Sequence, residues 1–529
     1  MNRLNRALIH QIVYLLGLAL MLFCLPLSLY LISVAQFLLT LNWLLEGDFR
    51  RKAGLLRNNS SLIVFVSVFI IYGIGYFLSE NKTLALFHLK NALPLLALPV
   101  IIGTSRHPGA RNMHYLLLVF CAGVITTAIV CILNYVIKGI PPGGDFRQIS
   151  IFIPHLRFAM MIVMAIVTLA FSLTYHRHVL PVLNQKIIKI LLFSAILFLI
   201  LFLFFLRSAT GIVLLMAVAG FLVLHGAIFS FRRTFLRRAM IIVTCIGFLS
   251  LLTLILFTWY RNFHPREFDI NTLEKYTENG NPYFHDTKTL LLENGNFTEL
   301  YICESELQRE WDSRSKFSYT GTDLRQQPVK STLKRYLTSK GLRKDSLSVN
   351  RLTDEDIAKI ESGLANYRFN IHQGIYQRLY ETLYEIHVYK TTGFVEMHSF
   401  GQRLAYLQAS LNLITENPLC GTGTGDVYKT LKSKVLSKGI AVDTNWEGKP
   451  HNQFAFYLIA FGIPGLLWIL FCWIYPVFRH SASLLFLCFA LIMLISMLVL
   501  DTHESYSTMA FFSVLYSMLI FGKDKPKAI

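Results

Sequence analysis

"PHNQFAFYLIAFGIPGLLWIL", residues 450–470, decides how this chain is read. A Pro-His-Asn step runs directly into a segment that is almost wholly apolar. A helix needs about 20 such residues to cross the hydrocarbon core of a bilayer, and this segment stays apolar to residue 478. Its polar mouth, His451 and Asn452, stands where a span would meet water. What the mouth does depends on which side of the membrane it faces and on what faces the same way.

Similar runs recur along the 529 residues, of which 54% are hydrophobic and 15% charged. A soluble domain carries roughly 25% charged residues. One all-round apolar helix fits the core of a large soluble protein, but so many in one chain do not. Hydropathy places about 12 spans near 8–25, 27–45, 60–78, 84–103, 115–137, 151–174, 187–206, 210–229, 239–259, 453–478, 483–500 and 506–521. The fold class is all-α, a polytopic membrane protein. The first apolar segment lacks a small-residue cleavage site and leads into another span, so no cleavable signal peptide is expected.

The net charge of +19 raises nucleic acid as a partner, but membrane proteins collect Lys and Arg in cytoplasmic loops for topological reasons. Anionic lipids and anionic lipid-linked substrates are the expected partners, and no nucleic acid. Cys24, Cys121, Cys131, Cys245, Cys472 and Cys488 fall in apolar runs and read as small core residues. Cys303 and Cys420 lie in polar regions, paired or free. No CxxC or Cys/His spacing suggests a metal site, and no cofactor is expected.

Alternate connections hold the basic residues: Arg3 and Arg6; Arg50, Arg51, Lys52 and Arg57; Arg106 and Arg111; Arg177 and Lys186; Arg232, Arg233, Arg237 and Arg238; Arg479; Lys523, Lys525 and Lys527. The positive-inside rule puts these, and both termini, in the cytoplasm, as an even number of spans requires. The chain divides into 1–259 with nine spans, an insertion at 260–450 on the outer side, which is the periplasm if the membrane is a bacterial inner one, and 451–529 with three spans and a cytoplasmic tail. The insertion is far too long for a connector. Within it, residues 296–307 suggest a strand. "LTDEDIAKI" reads as a helix start, with Thr353 as N-cap and Leu352 and Ile357 as a staple. Ile375, Leu379, Leu383 and Ile386 recur at helical spacing, for a helix on the membrane surface or packed inside the insertion.

Ionisable residues in or beside spans are costly and mark function by default. This topology brings several to one level. Arg207 stands in "FFLRSATG" at the junction of two spans, Arg157 at the end of the sixth, and Lys90 about two turns inside the fourth. Arg403 opens the amphipathic "GQRLAYLQASLNLITENP". His451 and Asn452 begin the tenth span, and Asp501, His503 and Glu504 fill the short outer turn "DTHESYS". Each has a structural alternative. The arginines snorkel, His451 is interfacial, Asn452 is an N-cap, and the carboxylates pair with a neighbouring arginine. Together they suit a phosphate-bearing lipid, because Arg binds phosphate bidentately and keeps its charge. The histidine is the group suited to proton transfer near neutral pH. Gly421, Gly423 and Gly425 in "PLCGTGTGD" lack the frame of a phosphate loop and read as a turn whose backbone approaches substrate.

Three stretches carry a resemblance: "LFFLRSATGIVLL", "RLAYLQASLNLITENPLCGTGTGD" and "PHNQFAFYLIAFGIPGLLWIL". In this order, with a large outer loop before the last spans, they resemble the O-antigen ligase and polymerase family of bacterial inner-membrane glycosyltransferases, over roughly residues 60–521. The resemblance implies a GT-C-like membrane fold and a metal-independent transferase with an undecaprenyl-diphosphate-linked glycan as donor. Arg207 and Arg403 would grip the diphosphate. His451 would activate or position the acceptor hydroxyl, and Asp501 or Glu504 would orient a partner. Lys90, Arg157 and Asn452 complete the expected substrate-binding set. The acceptor would be lipid A-core, another glycan repeat or a protein side chain. A lipid-linked oligosaccharide flippase and a non-catalytic assembly scaffold are the competing classes. A flippase would show broken helices with charges near the midplane, whereas these charges cluster at one face.

Overall fold

The computed structural model describes residues 3–139, 146–174, 185–229, 234–264, 272–289, 291–369, 375–393, 399–438 and 446–522. Arg177, Arg232, Arg233, Lys523, Lys525 and Lys527 lie outside them. The fold is all-α. Among the described residues the named strands are a two-residue pair, Leu292–Glu293 against Asn296–Phe297. Within 296–307, where the sequence suggested a strand, Asn296–Phe297 is paired, Ile302 bridges Phe284 and Lys344, and the helix Glu304–Arg314 begins at Glu304.

Ten of the described helices are long and apolar enough to cross a membrane. In lipid a helix satisfies its own backbone groups, which is why apolar runs of this length adopt it. The last two apolar runs form shorter helices, Leu484–Val499 and Tyr506–Ile520, of 16 and 15 residues. At 1.5 Å per residue they span about 24 and 22 Å, less than the ~30 Å hydrocarbon core. Every residue from Ser507 to Ile520 is buried, so this last helix is surrounded by protein. The turn between the two helices is consequently sunk. Asp501, Thr502, His503 and Glu504, in the short turn read from the sequence, are all buried.

Three spans are interrupted. Ser60–Val66 and Val68–Leu78 meet at Ser67, and Lys82–Asn91 and Leu93–Thr104 meet at Ala92, beside Pro94. In Gln453–Arg479 the break is at Gly462, whose φ of 67° no ordinary side chain adopts cheaply. Pro464 has no N–H to give Ala460, and Ile463 donates instead to Pro418 O at 2.9 Å. The freed carbonyls of Ile459 and Ala460 accept from Thr422 N at 2.8 Å and Gly423 N at 3.0 Å. Non-helical backbone at this depth is tolerated because protein completes it. The glycine-rich loop thus closes a broken helix. A Cβ on Gly421 would stand 2.1 Å from the Ala460 carbonyl carbon, so its close backbone approach is to that helix.

The insertion has its own core, with Leu307, Trp311, Leu333, Tyr336, Leu337 and Ile360 fully buried. Thr353 caps Asp354–Glu361 in a reciprocal box with Asp356, as the sequence suggested. A second cluster joins Phe263, at the end of the 30-residue helix Thr234–Phe263, to Tyr380, Leu383, Tyr384 and Val388 of Ile375–Thr392. That helix packs against the end of Thr234–Phe263 and against Ser399–Glu416. At the joint Glu293 is fully buried. It accepts from Tyr380 Oη at 2.8 Å and Asn366 Nδ2 at 2.6 Å on one oxygen, and from Arg335 Nε at 2.9 Å on the other. The Arg335 guanidinium lies 3.7 Å over the Tyr384 ring. Cys303 is buried and Cys420 exposed, and both are free thiols.

Candidate functional site

Two short segments meet where the insertion joins the bundle: the mouth of Gln453–Arg479 and the sunken turn after Leu484–Val499. Asn452 caps the first, its Oδ1 accepting from Ala455 N at 3.0 Å. Its Nδ2 donates to Leu498 O at 3.1 Å, which ties the two segments together. The capping geometry puts His451 outside the helix with φ 52°. Its backbone N–H then donates to Asp501 Oδ2 at 3.1 Å, and its Nδ1 stands 3.7 Å from the same oxygen.

Arg207 also has φ 52°, in the junction between Lys186–Phe205 and Ala209–Phe229. Seven described non-glycine residues have positive φ, and these are two of them. Such backbone costs on the order of 1–3 kcal/mol and gathers at functional sites. Ser208 holds the junction by accepting from Gly211 N at 3.2 Å.

The helix Ser399–Glu416 forms a wall beside His451. Its Tyr406 stacks on Trp446 at 3.9 Å and 7°, and lies 6.2 Å from the imidazole. Arg403, three residues earlier, occupies the same helix face. Burial, then the positive charges of Arg403 and Lys449, push the His451 pKa down to about 4. The imidazole is thus neutral at pH 7 and available as a proton acceptor. Burial and the Glu504 charge push Asp501 up to about 7, against the hydrogen bonds from the backbone of His451 and Asn452.

The other carboxylate of the turn is held differently. Glu504 Oε2 pairs with His88 Nδ1 at 2.8 Å and accepts from Tyr428 Oη at 3.1 Å. Its backbone oxygen accepts from Asn91 Nδ2 at 3.2 Å. Burial and the two carboxylates push the Tyr428 phenol far up, so it stays a donor. Arg157 is within electrostatic range of Asp501, Glu504 and Tyr428. Asp501 Oδ1 and Glu504 Oε1 are buried with no hydrogen-bond partner.

Of the residues singled out from sequence, His451, Arg403, Asn452, Asp501, Glu504 and Arg157 come together. Arg207 sits half-buried at its own junction, and Lys90 is exposed at the last turn of Lys82–Asn91. His88, Tyr428 and Tyr406 were missed. The rule that selected Lys90 applies equally to His88, two residues earlier in "FHLKNALP". Tyr428 and Tyr406 carried no signal, because a tyrosine beside a membrane is ordinary.

Many apolar helices, some broken, around a polar centre sunk at the end that carries an insertion define a polytopic membrane protein with a buried ionisable site. Residues 362–470 match the family model described as O-antigen ligase. The matched stretch contains Arg403, the glycine-rich loop, His451 and Asn452. That match supports a membrane glycan-processing role of the O-antigen ligase or polymerase type. A search of curated proteins finds no match.

Proposed function

We propose that this protein is an inverting, metal-independent glycosyltransferase that moves a glycan from undecaprenyl diphosphate to an acceptor hydroxyl at the periplasmic face of the inner membrane, as an O-antigen ligase does. The observation that carries the reading is the neutral His451 beside Arg403, inside the family-matched stretch, with Asp501 behind it.

The acceptor oxygen attacks the anomeric carbon from the face opposite the diphosphate. The new C–O bond forms as the bond to the diphosphate oxygen breaks, and the electron pair leaves on the diphosphate. The acceptor proton passes to the His451 imidazole, and Asp501 steadies the imidazolium. Arg207 and Arg403 hold the diphosphate and take up its developing charge. Stabilising charge in this way contributes more to the rate than proton transfer does. Arg157 and Lys90 supply further positive charge, and Asn452 holds the mouth of the span in place. Arg403 depresses the basicity of His451, so a diphosphate bound against Arg403 offsets that charge and makes His451 a better base when donor is present.

The test is transfer by the purified protein in nanodiscs with EDTA, comparing wild type with His451→Ala and Arg207→Ala. Release of undecaprenyl diphosphate with glycan attached to acceptor, abolished in both variants, is the expected result. Lipid crossing the bilayer equally in all three proteins, with no product, would replace the transferase reading by a flippase.

A further inference from the structure

We propose that Glu504 is the hydroxyl-accepting carboxylate of a carbohydrate acceptor subsite, and that His88 is the residue that positions it. This rests on the transferase reading.

Glu504 is fastened by one oxygen only. His88 and Tyr428 both act on Oε2, from Lys82–Asn91 and Val427–Ser437, while Asn91 fixes the backbone behind it. Oε1 is left buried and without a hydrogen-bond partner, in a residue only 8% exposed. An arrangement that satisfies one carboxylate oxygen and spares the other aims the second at something the resting site does not contain.

The state of His88 follows from its surroundings. Its Nε2 is buried with no partner, and a proton there would be a stranded donor. Nδ1 is therefore the ring nitrogen that donates to Glu504. The rings of Phe87, Tyr428 and Phe456 stand 5.4–5.7 Å from it and hold its plane. His88 acts through Glu504 and does not touch substrate.

The ligand's class follows from charge and from count. Arg403 and Lys449 are the cations acting on His451, so the donor's anion belongs on their side of the imidazole and the 501–504 turn is left for a neutral group. An O–H group is what a carboxylate oxygen accepts. Asp501 Oδ1 and Glu504 Oε1 are two such acceptors in one turn, which suits neighbouring hydroxyls of a sugar and exceeds what one serine or threonine offers. Both oxygens are covered in this arrangement.

Transfer kinetics with lipid A-core oligosaccharide as acceptor would test this, using wild type, Glu504→Gln, His88→Asn and His88→Gln. Asparagine places an N–H where Nδ1 was, and glutamine places it where Nε2 was. Glu504→Gln should raise the acceptor KM about 10-fold, the size of one charged hydrogen bond, and leave the donor KM within about 2-fold. His88→Asn should stay within about 3-fold of wild type, and His88→Gln should resemble Glu504→Gln. Equal acceptor KM in all four proteins, or equal behaviour of the two His88 variants, would overturn the proposal. So would a wild type that glycosylates a serine peptide and no sugar, which leaves the transferase reading intact. Absence of product from wild type with every acceptor would instead remove that reading.

Discussion

Glu293 in the insertion and Glu504 in the membrane turn are both buried carboxylates tied to a tyrosine and a basic side chain. Glu293 has both oxygens engaged, by Tyr380, Asn366 and Arg335. Glu504 has one engaged by His88 and Tyr428 and the other unpartnered, as Asp501 has. A fully satisfied polar network rigidifies a joint, whereas a partly satisfied one carries a cost that structure alone does not explain. The first region is a fastening, and the second has the character of a site.

The largest effect expected is at the fastening. Glu293→Ala leaves Arg335 without its buried partner and should destabilise the insertion by about 3–5 kcal/mol. Limited proteolysis of the insertion and thermal unfolding in detergent read this directly. A variant as stable as wild type would end the contrast. At the site the reverse is expected. Arg403→Ala should lower the transfer rate on the order of 10²-fold with an unchanged unfolding temperature. A matching loss of stability would make Arg403 another fastening.

Asn452→Ala removes a helix cap and should cost about 1 kcal/mol, seen as a modest fall in unfolding temperature. No fall would mean that Asn452 serves substrate instead of the helix. The smallest effect concerns pH. His451 is lowered from 6.5 to about 4, so its contribution to stability is lost as pH falls through that window. Asp501 is raised from 3.8 to about 7, so its contribution is present at low pH and is lost as pH rises through that window. The two oppose one another between about pH 4 and 6.5. Asp501→Asn removes one of them, and its unfolding temperature should then rise with pH across that range more steeply than that of wild type.

Much of this was legible beforehand. Each apolar run became a helix because lipid leaves the backbone little choice. The caps at Thr353 and Asn452 follow from side-chain oxygens that meet the first turn of their own helices. His451, Arg403 and Asp501 were found because ionisable groups beside spans are rare. The glycine-rich loop was read for the right property, close backbone approach, and the wrong neighbour, because the break at Gly462 that accepts it lies some 40 residues away. His88 was passed over for Lys90, since a formal charge is visible in a sequence and a hydrogen bond to Glu504 is not.

The sequence by itself determined the class of fold and the number of apolar helices, and it singled out the ionisable residues beside them, because these depend on composition and local spacing. Only the tertiary structure decided that the turn at 501–504 is sunk between short helices, and that His88 and Tyr428 meet Glu504 there. Those contacts join residues more than 70 positions apart in the chain. Which oxygen of a carboxylate is engaged depends on how such distant segments pack, and no local pattern encodes it.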